Sequence, residues 1–453
     1  MKKRTFALQN EKIPSLILRL SIPNTIGLLV VSAYSLADSF FVAELGSVAT
    51  SAVGVTFSLH VLMQAVGYTL GMGAGAILSH ALGKNDTEKA THAASVAFFL
   101  SLTAGIAIAV TGLLFCTPIL QIFGATGNVL EAAHTYSLPL FLSAPSMCAS
   151  FTLSQLLRAE GRATYAMAGL MTGSLLNIAL DPLLIFTLHL GIAGASIATL
   201  ISQTLGALVL LSAYFGKRKT IGVLALSRPA FSLSGKLLIL GLPSLLRQGL
   251  SGVSSILLNR SAAMLEGDAV SSLSLVTRLF LLVFSFCLGL GQAMLPVVGY
   301  SMGANDHARA KKAYLFSLVA SSLVMLLFSV PLFLFAAPIL KIFGASTASI
   351  DIGVLALRAQ SAVLVLHGTI TCTILFLQIT NRSFSSALLA AARQGIFFLP
   401  LIFWLPARFG ASGITLTQPI SDALTFLLSI PLLIYSLKAF TTKRDKTDSL
   451  APS

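Results

Sequence analysis

The sequence predicts an all-α integral membrane protein of twelve transmembrane helices arranged as two parallel six-helix repeats. Three observations predict it: an apolar composition, twelve long apolar runs, and short motifs that recur at one spacing. Of the 453 residues, 56% are hydrophobic and 10% charged, with a mean hydropathy of +0.90. A soluble domain carries roughly 25% charged residues. No water-soluble fold of this size hides so much apolar surface, whereas a bilayer accepts it.

The apolar runs cover 13–42, 52–81, 92–115, 133–157, 164–188 and 193–215, then 236–260, 270–301, 312–335, 353–378, 384–406 and 413–437. Each is long enough for a helix of roughly 20 residues to cross the hydrocarbon core. Polar breaks separate them, including Gly83-Lys84-Asn85-Asp86, Arg158-Ala159-Glu160-Gly161-Arg162, Lys217-Arg218-Lys219 and Gly303-Ala304-Asn305-Asp306. The start Met1-Lys2-Lys3-Arg4 resembles a signal-peptide n-region, but Asn10-Glu11-Lys12 interrupts it and the next apolar run is too long for an h-region, so no cleavage is expected.

The formal net charge is +14. In a soluble chain this would suggest nucleic acid. Here Lys84, Lys89, Arg158, Arg162, Lys217, Arg218, Lys219, Arg228, Arg309, Lys311, Lys312 and Arg382 sit in one set of loops, and the basic termini share that side. The opposite loops hold few basic residues, Lys341 and Arg408 foremost. The positive-inside rule then places both termini in the cytoplasm, in agreement with an even number of spans, and no nucleic-acid partner is expected. Cys116, Cys148, Cys287 and Cys372 lie apart in apolar runs and read as small core residues, without disulfide or metal-ligand spacing.

The repeat is explicit in the residues. Pro118-Ile-Leu-Gln-Ile-Phe-Gly-Ala125 returns as Pro338-Ile-Leu-Lys-Ile-Phe-Gly-Ala345, an offset of 220. The same offset relates Asp86 to Asp306, Pro23 to Pro243 and Arg162 to Arg382, while Gly191 maps to Gly410 at 219. An even number of spans per half makes the repeats parallel, and transporters built from repeats place their sites near the repeat interface. The expected organisation is an N-terminal lobe over 1–215, a cytoplasmic linker over 216–235, a C-terminal lobe over 236–437 and a cytoplasmic tail over 438–453.

Three carboxylates lie deep in apolar runs: Asp38, Asp181 and Asp422. A membrane-central Asp costs about 2.5–3.5 kcal/mol on insertion scales, so each is a functional candidate. Asp38, Asp181 and Thr199 fall at similar depths, counted from the loop glycines Gly46 and Gly191. Asn177 precedes Asp181 by four residues, on the same helical face. Pro182 cannot donate a backbone hydrogen bond, which loosens a carbonyl one turn earlier. Such an oxygen-rich pocket suits Na⁺ or protons, and if Na⁺ binds, its ligands are Asp38, Asn177, Asp181 and Thr199. The repeat-related positions are Leu258 and Pro400, so the pair belongs to one half only. Their other reading is structural, as caps or partners of an arginine.

For Asp422, Arg393 and Arg278 on neighbouring spans offer a structural ion pair, with a gating or auxiliary cation role as the other reading. Phe41, Met63, Gln64, Gln155, Gln292 and Met294 are candidates to line a substrate cleft, because Met and aromatic side chains adapt to varied ligands. Against this stands ordinary helix packing. His60, His80, His189 and His367 read as isolated, and Gly71-Met72-Gly73-Ala74-Gly75 reads as close helix packing. Nothing in the sequence indicates an enzyme or an organic cofactor.

Ser35-Leu-Ala-Asp38-Ser-Phe-Phe41, Gly83–Asp86, Arg158-Ala-Glu160-Gly161, Asn177-Ile-Ala-Leu-Asp181-Pro182, Gly299-Tyr-Ser-Met-Gly303-Ala and Gln418-Pro-Ile-Ser-Asp422 together resemble the multidrug and toxic compound extrusion (MATE) family, in its prokaryotic DinF-like branch. The resemblance covers about 13 to 437. It implies a monomeric, cation-coupled antiporter of the bacterial inner membrane, exporting cationic amphipathic compounds by alternating access of two lobes. It implies cation-coupling roles for Asp38, Asn177, Asp181 and Thr199, with Tyr136 beside them, and H⁺ or Na⁺ as the coupling ion. The C-lobe carboxylates of the NorM-like branch are missing. The alternative within the same superfamily is a flippase for lipids or lipid-linked oligosaccharides. A major-facilitator transporter would need an Arg-rich loop that this chain lacks.

Overall fold

The structure is a computed structural model that describes residues 8–215, 221, 232–263, 269–343 and 350–448. These residues are helical, and no strand occurs among them. We number the membrane-length helices α1 (Ile13–Ala43), α2 (Ser47–Gly83), α3 (Thr87–Leu114), α4 (Gly127–Ala159), α5 (Ala163–Pro182), α6 (Gly191–Ser212), α7 (Ser234–Ala263), α8 (Ala269–Gly303) and α9 (His307–Leu334). α10 is broken into Ile350–Leu364 and Leu366–Ile379, bent by 54°.

The last apolar stretch, Ser383–Tyr435, has 53 residues. As one helix it would be about 80 Å long, far beyond a hydrocarbon core of about 30 Å. Gly410 interrupts it with φ 55° and ψ −131°. The stretch is therefore two helices, α11 (from Ser383 to 409) and α12 (411–448), which completes the expected twelve.

The recurring motifs prove to be recurring backbone devices. Asp86 and Asp306 cap α3 and α9, each accepting a 2.9 Å bond from the backbone N–H three residues on. Asn85 and Asn305 precede them at φ 59° and 60°, a left-handed conformation that Asn tolerates better than most residues. Gly161 and Asn381 hold the related turn before Arg162 and Arg382 at φ 73° and 61°. A seven-residue helix follows α3 (Cys116–Ile122), and its counterpart follows α9 (Ala336–Ile342).

Helix ends depart from the apolar runs where polar caps take over. α3 starts at Thr87 and α9 at His307, earlier than hydropathy suggests, because the capping aspartates nucleate polar first turns. α12 continues to Asp448, past the expected tail boundary. Most of the expected linker, 216–235, lies outside the described residues.

The chain divides into two compact units. One takes in Ile22–Gln248; the other takes in Leu8–Ser21 and Gly249–Ser453. In the first, the glycines of α2 form a ridge. A Cβ at Gly67 would lie 2.7 Å from the Cys148 carbonyl oxygen of α4, and one at Gly71 would lie 2.8 Å from the Gln155 Cβ. Gly73 faces α7 instead, against Leu237 and Gly241. The expected close packing through small residues is thus what the GMGAG segment does.

Candidate functional site: a buried polar cluster in each unit

In the first unit, α5 and α6 build the cluster. Asn177 is 2% exposed, Asp181 0% and Thr199 4%. The Asn177 amide nitrogen donates to Asp181 Oδ1 at 3.3 Å and, at a longer 3.5 Å, to Thr199 Oγ1. Thr199 in turn donates to the Ala195 carbonyl at 3.1 Å. Asp38 on α1 lies within electrostatic reach of Asp181, and Tyr34 of α1 and Tyr136 of α4 lie within reach of both.

The helices are distorted where they hold these groups. α5 ends at Pro182 and continues as a π-helical turn, Leu183–Thr187. Such turns open the backbone and cluster at functional sites. Gly194 of α6 sits directly on that turn: a Cβ there would lie 2.7 Å from the Leu184 carbonyl carbon and 2.9 Å from the Ile185 nitrogen.

Three oxygens of this cluster, Asp38 Oδ1, Asn177 Oδ1 and Asp181 Oδ2, are buried and receive no hydrogen bond. A buried acceptor without a donor costs about 1–3 kcal/mol, more when charged. That donor set fits a hard cation such as Na⁺, which takes oxygen ligands, or a proton shared among carboxylates. Among the described residues no group of three or more His, Cys, Asp or Glu side chains gathers as metal ligands.

Two further residues, Tyr34 and His60, join the cluster. Tyr34, one turn before Asp38, places its hydroxyl 3.4 Å from His60 Nε2. His60 is therefore not isolated. The four-residue spacing of Tyr34 and Asp38 was the available signal.

The second unit holds a different cluster, centred on Asp422 of α12. The carboxylate is fully buried and accepts four bonds: from Arg393 Nε at 2.8 Å, Gln418 Nε2 at 2.8 Å, Gln360 Nε2 at 3.0 Å and His367 Nε2 at 3.0 Å. Arg393 supplies the ion pair; Arg278 is exposed and is not among these donors. His367, read as isolated, is bonded to the carboxylate and flanked by the Phe280 and Phe284 rings at 5.1 and 5.8 Å. Gln360 and His367 lie on opposite sides of the break in α10, so one carboxylate holds both segments. The break frees the Ser361 carbonyl, and Ser329 Oγ donates to it at 2.7 Å. Arg393 itself lies in a second π-helical turn, Ala392–Ile396.

The residues considered for a cleft separate by burial. Met63, Gln155, Gln292 and Met294 are at most 2% exposed, whereas Phe41 and Gln64 keep accessible surface. Phe41 meets Phe186 of the π turn edge-on at 6.4 Å.

Twelve apolar helices in two like halves, with buried carboxylates on distorted helices, define a multi-pass membrane protein of the repeat-built transporter class. The chain belongs to the MatE family, whose model matches residues 23–183 and 243–404, one segment in each half. It is 26% identical over 438 residues to the multidrug export protein MepA of Staphylococcus haemolyticus, covering 96% of each chain. It is 27% identical over 420 residues to MepA of Staphylococcus aureus, covering 92% of each. A multidrug resistance MATE family transporter of the MOP superfamily, solved in an outward-facing conformation, superposes with a TM-score of 0.88 at 27% identity, covering 96% of this chain and 98% of that one. A MATE structure in a bent conformation gives 0.88 at 27% identity, covering 97% and 99%.

Proposed function

We propose that this chain is a cation-coupled multidrug antiporter of the bacterial inner membrane, with both termini in the cytoplasm. The observation that supports it best is the set of three donorless buried oxygens on Asp38, Asn177 and Asp181. Such groups persist in a membrane interior where a cation or proton serves them for part of a cycle. The kinship with MepA, a multidrug export protein, supports drug export, and cationic, amphipathic compounds are the substrates that the family resemblance implies.

Coupling then follows from differential affinity. A cation that neutralises Asp38 and Asp181 removes the repulsion between two carboxylates on α1 and α5. It thereby favours a packing of those helices that the ionised pair disfavours. A ligand shifts a two-state equilibrium only by its differential affinity for the two states. A drug cation favouring the ionised pair and an external Na⁺ or H⁺ favouring the neutralised one therefore exclude each other, which is exchange.

Everted vesicles test this with a pH gradient or a Na⁺ gradient imposed separately on a fluorescent cationic dye. Dye uptake driven by one gradient, and lost in Asp38→Asn and Asp181→Asn, is the expected result. Uptake driven by neither gradient would sink the antiporter reading and favour lipid flipping by the same fold. Full uptake in both variants would remove the two carboxylates from the mechanism.

A further inference from the structure

The Asp422 cluster has a cationic end that nothing in its own unit uses. A guanidinium carries five N–H donors in a rigid fork. Arg393 spends Nε on Asp422, and its terminal nitrogens bond to no described residue. Those nitrogens are also absent from the buried donors without partners, so they belong to the 13% of the side chain left accessible. Asp422, by contrast, is closed: four donors occupy its two oxygens and it has no exposed surface. What this ion pair presents outward is therefore its positive end.

The fork is also oriented. Its carbon lies 5.6 Å from the centroids of both Phe280 and Phe284, and these rings stack on each other at 5.5 Å and 13°. The backbone beneath it is fixed, because Ser421 donates to the Arg393 carbonyl and Ser254 to the Gln394 carbonyl, both at 2.6 Å. No other carboxylate occurs in α8 or α11 to compete for the terminal nitrogens. A guanidinium held this way pairs best with a planar oxyanion, bidentately. The adjoining phenyl rings supply a wall for an aromatic or aliphatic body.

We propose that Arg393, with Phe280 and Phe284, forms an acid-binding subsite that takes the carboxylate end of amphipathic ligands. The subsite is separate from the Asp38–Asp181 cluster in residues and in charge. It would let the chain accept zwitterionic compounds as well as plain cations.

The test uses the purified full chain and two xanthene dyes, one with a free benzoate and the other its methyl ester. Equilibrium binding to wild type is expected to favour the acid by about tenfold, the worth of one charge-assisted fork. The double variant Arg393→Gln with Asp422→Asn removes both charges together, so no buried charge is left alone. It should bind the ester as wild type does and lose the preference for the acid. Arg393→Lys keeps the charge but not the fork and should keep only part of the preference. Equal binding of acid and ester by wild type overturns the proposal without any variant having to fold. A preference that survives in the double variant overturns it too. Nanodiscs with and without phosphatidylglycerol add a second arm: competition by this phosphodiester lipid against the acid dye alone would show a general anion site that lipid fills and would overturn the carboxylate assignment. Equilibrium binding involves no gradient, so failure here and failure of the coupling reading, which gradient-driven uptake tests, are separable.

Discussion

Asn177 stands one helical turn before Asp181 on α5 and turns its amide nitrogen, not its oxygen, toward the carboxylate, 3.3 Å from Oδ1. The same nitrogen reaches toward Thr199 on α6. The amide therefore spends its donor side on its neighbours and leaves Oδ1 an acceptor without a donor. An amide in this setting orients the carboxylate and adds an oxygen to whatever cation joins it.

Replacing Asn177 by Leu removes both functions while preserving volume. The expected outcome is export that no longer responds to the driving gradient. Coupling free energies of about 1–3 kcal/mol, some 5–150-fold, set the scale of the loss. Dye efflux at matched expression, with and without the gradient, checks it. Asp181→Asn should behave alike, and gradient-driven efflux at the wild-type rate in both would contradict the assignment.

Gly194 marks where α6 and the π turn touch. Gly194→Ala puts a methyl group 2.7 Å from the Leu184 carbonyl carbon. Overpacking of this kind costs about 1–3 kcal/mol. A lowered unfolding midpoint in detergent is expected. Gly54→Ala in α2 is the control: its Cβ meets nothing within 4 Å, and the change should be neutral or slightly stabilising.

Ser329 and Ser254 each serve a carbonyl that regular helix geometry no longer satisfies, those of Ser361 and Gln394. Ser→Ala at either position strands a buried acceptor, at a cost of about 1–3 kcal/mol. Thermal unfolding of the single variants should show both drops. Little effect at Ser329 would mean that the α10 break satisfies its carbonyl in another way.

Asp422→Ala leaves Arg393, Gln360, Gln418 and His367 without their common acceptor. Removing one partner of a buried pair typically costs about 3–5 kcal/mol. The expected result is a strongly reduced yield of folded protein, measured by size-exclusion chromatography. Combining Asp422→Asn with Arg393→Gln should restore much of that yield.

The twelve spans were legible because each is a long apolar run, and the repeat was legible because turn residues cannot vary freely. Asn85 and Asn305 must reach positive φ, and Asp86 and Asp306 must cap. Asn177, Asp181 and Thr199 were legible as a group because helix geometry fixes i and i+4 on one face and counts depth from a loop glycine. Of the four donors to Asp422, only Arg393 was. Gln360, His367 and Gln418 come from two helices, and an unpredicted break in α10 is what brings Gln360 and His367 together on one carboxylate. That break has no proline to announce it, whereas the repeat-related position in α4 is Pro145. Pro182 announces a distortion at the first π turn but not its form, and no proline lies within the second; they are held, respectively, by Gly194 and by serine hydroxyls, whose partners sequence periodicity does not reveal.

The division of the chain into compact units does not follow its internal repeat. The start of α1, Leu8–Ser21, belongs with the C-terminal unit, and α7 as far as Gln248 belongs with the N-terminal one. Each half thus lends the opening turns of its first helix to the other. The piece of sequence that was duplicated and the piece that packs as a body are different objects.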